Sequence, residues 1–271
     1  VEIVKGVTVG QFVALYHGKL QDGQRVTPNV VTLKGVNNDS FPYRDEYSDV
    51  AFYSIEGLKK YYKDVLIVDV RSKFEYDVVH ISKAKHISLD DKEFTKKLGK
   101  LRGKRQEKPI VFYCNGHTCT KSYKAAIKAQ EAGFKYVYAY DAGIQGWMHD
   151  NRKFTTLLGV TPAPREKMVS EQFFQSRLVD FKEFEMLAKS REAMVIDIRD
   201  QSQRQTTVTM NTVELPLDRF IKLLKAGGYK DKQLLIFDAV GKQIRWLQYV
   251  MKDRGYKDYF FLKEGINAID S

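Results

Sequence analysis

The stretch Asp64-Val-Leu-Ile-Val-Asp-Val-Arg71 recurs with the same pattern as Glu192-Ala-Met-Val-Ile-Asp-Ile-Arg199. Each copy is a short apolar run rich in β-branched residues, which is typical of a strand buried on both faces of a parallel sheet. A second pair of strands is predicted at Pro109-Ile-Val-Phe-Tyr113 and Gln233-Leu-Leu-Ile-Phe237. The repeat indicates two copies of one structural unit.

In both copies one helical pattern precedes the first strand and another follows the second strand. Glycine follows the second helical pattern of each copy, at Gly133 and Gly255, where it is a usual stop signal. Strands that alternate with helices form βαβ units with right-handed crossovers. The predicted fold class is therefore α/β, with two similar domains, each a mostly parallel sheet flanked by helices. The helical stretches are Ser54–Tyr62, Lys121–Ala132, Asp180–Lys189 and Gln243–Arg254.

The repeat also gives domain boundaries. We expect an N-terminal extension at 1–50, a first domain at 51–150, a linker at 151–175 and a second domain at 176–271. The linker assignment depends on the Thr-Pro-Ala-Pro sequence at 161–164.

Composition excludes several classes of protein. The 271 residues are 43% hydrophobic, which excludes a disordered chain, and no apolar run is long enough to predict a membrane span. The first residue is Val1 rather than Met, so a removed leader and a trimmed start both stay open. The compartment, cytoplasmic or exported, stays open as well.

Charge is concentrated in one region. Between Asp91 and Gln130 there are eleven basic residues against three acidic ones, a local charge of +8 within a chain of net charge +11. Two interpretations stay open: a solvated basic face, or an electropositive approach for a small anion. No nucleic-acid partner is predicted, because no recognised binding motif accompanies the charge.

The only two cysteines, Cys114 and Cys119, lie five residues apart. Two thiols without further ligands at suitable spacing make a poor zinc site, so no metal or other cofactor is predicted. Strand Ile110–Tyr113 leads into Cys114-Asn-Gly-His-Thr-Cys-Thr-Lys121 and then into a helix. Such a loop converges backbone amides beside a helix N-terminus, an arrangement that binds anions and lowers the pKa of a thiol.

Cys114 is accordingly the predicted nucleophile, ionised near neutral pH. The rest of the loop is the predicted binding site for an anionic substrate: Asn115, Gly116, His117, Thr118, Cys119, Thr120 and Lys121. For Cys119 two hypotheses stay open. It is either a resolving thiol that forms a disulfide with Cys114, or a small apolar residue that fixes the base of the loop.

Several short motifs follow one another in order over about ninety residues. Together they resemble a rhodanese domain, and the whole chain is similar to the tandem-rhodanese sulfurtransferases. The motifs are Asp69-Val-Arg71, Phe74-Glu75-Tyr76, His80-Ile81, Cys114 after a strand, Ala132-Gly-Phe134 and Gly143-Ile-Gln-Gly-Trp147.

The resemblance implies a sulfurtransferase. Its loop cysteine would take a sulfane sulfur from an anionic donor of the thiosulfate or polysulfide type, form a persulfide, and pass the sulfur to a thiophilic acceptor. That acceptor would be a thiol, a cyanide-like molecule or a redox protein. The resemblance further implies that Asp69, Arg71 and Glu75 support the wall of the site, with Arg71 paired to Glu75.

The chain also departs from the family pattern. Cys114 lies nineteen residues before Gly133, two more than is common in the family, and Asp238 occupies the nucleophile position of the second copy. The second domain is therefore expected to be non-catalytic.

Two other functions stay open. One is a sulfur carrier or sensor without efficient turnover. The other is a cysteine-dependent phosphatase or arsenate reductase, which is less favoured because Thr120 stands where those enzymes place an arginine.

Overall fold

A computed structural model describes residues 41–190, 192–204 and 210–268. The described chain divides into two compact units. The first runs to residue 155 without residues 77–79, and the second comprises those three residues and everything from residue 156 onward. Most of the predicted N-terminal extension, residues 1–40, lies outside the described residues, as do positions 191, 205–209 and 269–271 of the second copy.

The first unit is built around a four-stranded parallel sheet in the order β3-β1-β4-β5. Its central strand β4 is buried at every residue, as its uninterrupted apolar sequence predicts. The four strands are β1 (Leu66–Asp69), β3 (Lys85–His86), β4 (Ile110–Tyr113) and β5 (Val137–Tyr140). The helices are α1 (Ile55–Lys60), α2 (Lys73–Val78), α3 (Phe94–Arg102), α4 (Lys121–Glu131) and α5 (Gly143–Met148).

The second unit repeats this order. Its parallel sheet runs β7-β11-β10-β8-β9, with β10 in the place that β4 occupies in the first sheet. Its strands are β7 (Leu178–Val179), β8 (Ala193–Asp197), β9 (Thr212–Glu214), β10 (Gln233–Phe237) and β11 (Tyr259–Leu262). Its helices are α6 (Glu171–Gln175), α7 (Phe181–Ala188), α8 (Leu217–Lys225) and α9 (Ile244–Asp253).

The predicted α/β class, with two parallel sheets flanked by helices, is confirmed. The predicted strands at 110–113 and 233–237 match β4 and β10, and Ser54 and Asp180 cap the helices α1 and α7 through their side chains. No helix among the described residues is long and apolar enough to cross a bilayer.

The segment 151–175 is more structured than a simple linker. It holds β6 (Thr155–Leu157), which forms a two-stranded sheet with β2 (Val79–Ile81), and it also contains α6. Short 3₁₀ turns lie at Arg152–Phe154 and Arg165–Lys167 in the same segment.

Candidate active site

Cys114 follows directly after β4, at the carboxyl edge of the sheet, where open parallel sheets bind their ligands. Its side chain is fully buried. The Cys114 thiol donates a hydrogen bond to the backbone oxygen of Cys119 across 3.1 Å, and its sulfur lies 3.7 Å from Ser122 Oγ. The sulfur therefore lies beneath the loop, against the first turn of α4.

The two thiols differ in acidity, and not in the expected way. Burial raises the pKa of Cys114 well above its ordinary value, and the hydrogen bond to Cys119 raises it further. The interaction of its thiol with the Cys114 side chain lowers the pKa of Cys119 to about 6, against the effect of burial, and the backbone amides of Lys121 and Asn115 lower it as well. The expectation of an ionised Cys114 is thus corrected. Cys119 has the lower pKa of the two thiols, and the Cys114 thiol donates to the backbone oxygen of Cys119.

The loop turns tightly between the two cysteines. The amide of Cys119 donates to the backbone oxygen of Gly116 across 2.9 Å, and α4 begins two residues later at Lys121. His117 and Thr118 are exposed at the tip, and the ring of His117 meets the edge of Phe41 at 6.1 Å. Lys121 is 42% exposed and lies 3.5 Å from Asp90, so its ammonium group stays in solvent.

A polar network joins the loop to the end of β1. Asn115 is its centre: the side-chain amide donates to Glu75 Oε1 across 2.8 Å, and Oδ1 accepts from Arg71 at 3.4 Å. Arg71 is buried against Asp69, with its Nη2 2.6 Å from the carboxylate. Burial by itself would lower the pKa of Arg71. The negative charge of Asp69 outweighs this effect and that of Glu75 acts in the same direction as Asp69, so the net shift of the pKa is upward.

The other oxygen of Glu75 accepts from the amide and the hydroxyl of Ser72, at 2.9 and 2.8 Å. The three predicted supporting residues therefore meet in one network around Asn115. None of the three touches the cysteine sulfur in the contacts of the described chain, so their place is in positioning the loop.

Gly143, at the start of α5, approaches the cysteine loop so closely that a side chain does not fit. A Cβ atom there would lie 2.5 Å from the amide nitrogen of Gly116 and 2.6 Å from the oxygen of Cys114, and the φ of Gly143 is +57°. The helix is joined to the loop by backbone hydrogen bonds from Ile144 to Cys114 and from Gln145 to Asn115, both 3.0 Å. A positive φ and a close approach both require glycine.

Sequence reasoning missed a second group beside the loop. Asp141, buried at the end of β5, accepts from Tyr123 of α4 at 2.6 Å and from Arg44 at 2.7 Å. Tyr47 stacks on Tyr123 with ring centroids 5.0 Å apart. Residues 41–50, assigned to the extension, thus pack against α4. The sequence of residues 41–50 does not indicate this contact, because Arg44 and its partner Asp141 are 97 residues apart.

Asp238 occupies the position after β10 that Cys114 occupies after β4. Its carboxylate faces inward and accepts from the amides of Gly241 at 2.5 Å and Gln243 at 2.6 Å. Gly265, with φ +63°, approaches Asp238 as Gly143 approaches Cys114, and Ile266 donates to the Asp238 backbone oxygen at 2.9 Å. The amides that could bind an external anion in this loop are instead occupied by its own carboxylate.

A profile of the rhodanese-like domain matches residues 54–150, which include this loop and the network beneath it. The thiosulfate sulfurtransferase GlpE of Coxiella burnetii is 34% identical over 86 residues, 31% of this chain and 73% of that protein. The chain belongs to the rhodanese-like family.

Two further proteins are similar over the same kind of segment. The tRNA uridine(34) hydroxylase of Buchnera aphidicola is 36% identical over 92 residues, 34% of this chain and 28% of the hydroxylase. This chain therefore matches little more than a quarter of that relative's length. The crystal structure of the BH2092 protein from Bacillus halodurans has 27% identity and a TM-score of 0.36, covering 48% of this chain and 93% of that one.

Proposed function

We propose that the protein is a sulfurtransferase in which Cys114 carries a sulfane sulfur as a persulfide. The proposal depends above all on the position of Cys114, buried at the carboxyl end of β4 with its sulfur beside the backbone oxygen of Cys119 and the hydroxyl of Ser122. The similarity to a thiosulfate sulfurtransferase supports it.

The donor is an anion of the thiosulfate or polysulfide class. Cys114 releases its proton to solvent and attacks the outer sulfur of thiosulfate as the thiolate. A new bond forms between the two sulfurs, and sulfite leaves with the electron pair of the broken sulfur–sulfur bond. The persulfide then passes its outer sulfur to a thiophilic acceptor, a thiol or cyanide, which regenerates the Cys114 thiolate.

The charged surroundings favour an anionic donor. The region from 91 to 130 carries the +8 charge, and the exposed cation of Lys121 lies at the start of the helix that follows the loop. A field of this sign raises the local concentration of a small anion. No tRNA chemistry is proposed, since the hydroxylase match covers only a minor part of that protein.

We propose further that residues 51–150 form the catalytic domain and 176–271 a second rhodanese-like copy without catalysis. An aspartate cannot form a persulfide, and the inward carboxylate of Asp238 already occupies the amides of its loop.

The test is a turnover assay with thiosulfate and cyanide, alongside intact mass measurement after exposure to the donor. Cys114→Ser is expected to abolish both transfer and the gain of one sulfur atom while the circular dichroism spectrum is unchanged. Transfer above about one-tenth of the wild-type rate in this variant, a loss of less than about 1.4 kcal/mol, would contradict the assignment. A stable persulfide without turnover would favour the carrier function instead.

A further inference from the structure

The transfer to an external acceptor does not use Cys119, yet this residue is in direct contact with the nucleophile. The Cys114 thiol donates to the backbone oxygen of Cys119 across 3.1 Å, and each of the two thiols shifts the pKa of the other. The turn closed by the Cys119 amide and the Gly116 oxygen brings the two positions together without a strand or helix between them. A disulfide needs two cysteines that approach in this way.

The environment of Cys119 suits an attacking thiol. The Cys114 side chain and the amides of Lys121 and Asn115 lower its pKa to about 6, which favours the nucleophilic thiolate form. Its side chain is half-buried, whereas that of Cys114 is fully buried, so Cys119 is the more accessible of the two thiols.

The alternative is a purely apolar role for Cys119. The residue does pack against the core cluster that contains Cys114 and Tyr123. However, the tight turn that holds the Cys119 backbone oxygen 3.1 Å from the Cys114 sulfur, together with the lowered pKa of Cys119, points to chemistry between the two residues.

We propose that Cys119 is a resolving thiol that provides a second route for release of the sulfur from Cys114. The Cys119 thiolate attacks the Cys114 sulfur of the persulfide and forms the Cys114–Cys119 disulfide. The bond between Cys114 and the outer sulfur breaks, and the outer sulfur leaves as hydrosulfide with that electron pair and the persulfide proton. An external dithiol then reduces the disulfide to two thiols and is itself oxidised to a disulfide.

This inference rests on the proposed persulfide at Cys114. It implies that the protein releases hydrosulfide when no external acceptor reaches the persulfide first. The acceptor and Cys119 compete for one intermediate, and the supply of dithiol decides how often the internal route is used.

The experiment uses the reduced full-length chain, thiosulfate as the only donor, and no added reductant. Released hydrosulfide is measured together with the mass of the tryptic peptide that contains both cysteines, since no Lys or Arg lies between them. Wild type is expected to release hydrosulfide and to yield a peptide lighter by two hydrogens. Cys119→Ser is expected to keep the added sulfur at least roughly tenfold longer and to release no hydrosulfide.

Cys119→Ala serves as the second variant and should behave like Cys119→Ser, and a sample without thiosulfate controls for air oxidation. Equal persulfide lifetimes in wild type and both variants, without a disulfide, would overturn the resolving role and leave the proposed function standing. A disulfide that forms without thiosulfate and without hydrosulfide would also overturn it. If neither wild type nor the variants take up sulfur, both proposals fail.

Discussion

The side-chain amide of Asn115 donates to Glu75 Oε1 across 2.8 Å, which ties the residue after the nucleophile to the first turn of α2. The carboxylate is itself fixed by Ser72, so it is a rigid anchor rather than a mobile partner. Because Asn115 also accepts from Arg71, one side chain connects the loop to both neighbours. The orientation of the peptide after Cys114 therefore depends on a residue with one donor and one acceptor, a requirement that Asn meets and Asp does not.

Asn115→Asp is expected to harm the protein more than Asn115→Ala. The aspartate would place a second carboxylate against Glu75, whereas alanine only removes a hydrogen bond worth about 1 kcal/mol. Urea unfolding and the kcat/KM for thiosulfate measure the two effects.

The double variant Asn115→Asp with Glu75→Gln is the matched control, since it restores a donor opposite an acceptor. It should recover part of the lost stability and activity. Equal losses in Asn115→Asp and Asn115→Ala, or no recovery in the double variant, would show that the contact does not position the loop.

Gly143→Ala is expected to destabilise the first unit and to suppress sulfur transfer. Its Cβ would press on Gly116 and Cys114 at 2.5 and 2.6 Å, and the backbone strain at positive φ adds to that. Together these effects should cost on the order of 2–4 kcal/mol in the free energy of unfolding, measured in urea.

Gly133→Ala provides the control for strain alone. Gly133 also has a positive φ, +83°, but nothing lies within 4 Å of a Cβ built there. This variant should lose about 1 kcal/mol and keep its activity. Equal losses of stability and activity at the two glycines would mean that the close approach of α5 to the loop contributes to neither.

The sequence was sufficient to predict the sheets and the place of Cys114, because those features depend on local patterns. The apolar runs at 110–113 and 233–237 form β4 and β10 with the predicted bounds. The ionisation of the loop was not predictable in the same way. Which thiol loses its proton depends on burial and on a hydrogen bond between positions five apart, and neither is visible in the motif.

Long-range partners account for the rest of what the sequence left open. The contacts of Asp141 with Arg44 and Tyr123 join three separate segments, and no periodicity links them. Gly143 could have been suspected, since the glycine pairs 133/143 and 255/265 repeat at the same spacing in both copies. The repeat shows that a glycine is required there, but only the fold shows that the cysteine loop is the reason.

Cys119 should react with iodoacetamide with a midpoint near pH 6, because its thiolate is the reactive form. Cys114, buried and protonated, should react much more slowly. In Cys114→Ala the midpoint for Cys119 should move up toward the ordinary value, since the Cys114 hydrogen bond is the largest cause of the lowered pKa. Alkylation rates across a pH series, followed by peptide mass, measure both. An unchanged midpoint in Cys114→Ala would show that Cys114 is not the cause of the lowered pKa of Cys119.

Asp238 gives a prediction for the second unit. Burial raises the pKa of its carboxyl group above the ordinary 3.8, although amides of its own loop partly oppose the shift. The folded state therefore binds a proton at a pH where the unfolded chain has already released it. The contribution of Asp238 to stability is accordingly full below 3.8, and it declines as the pH rises from 3.8 through the raised pKa.

Asp238→Asn removes this titration and keeps one oxygen acceptor for the loop amides. The free energy of unfolding of wild type, relative to Asp238→Asn, should be highest at the acid end and fall as the pH rises through that window. Urea titrations of both full-length proteins over the acid range in which both are folded measure the difference.

Asp238→Ala, which leaves the amides of Gly241 and Gln243 without the carboxylate, should gain stability when sulfate is added, because those amides then face an external anion. If sulfate stabilises wild type as strongly as Asp238→Ala, the inward carboxylate does not occupy the anion site of this loop.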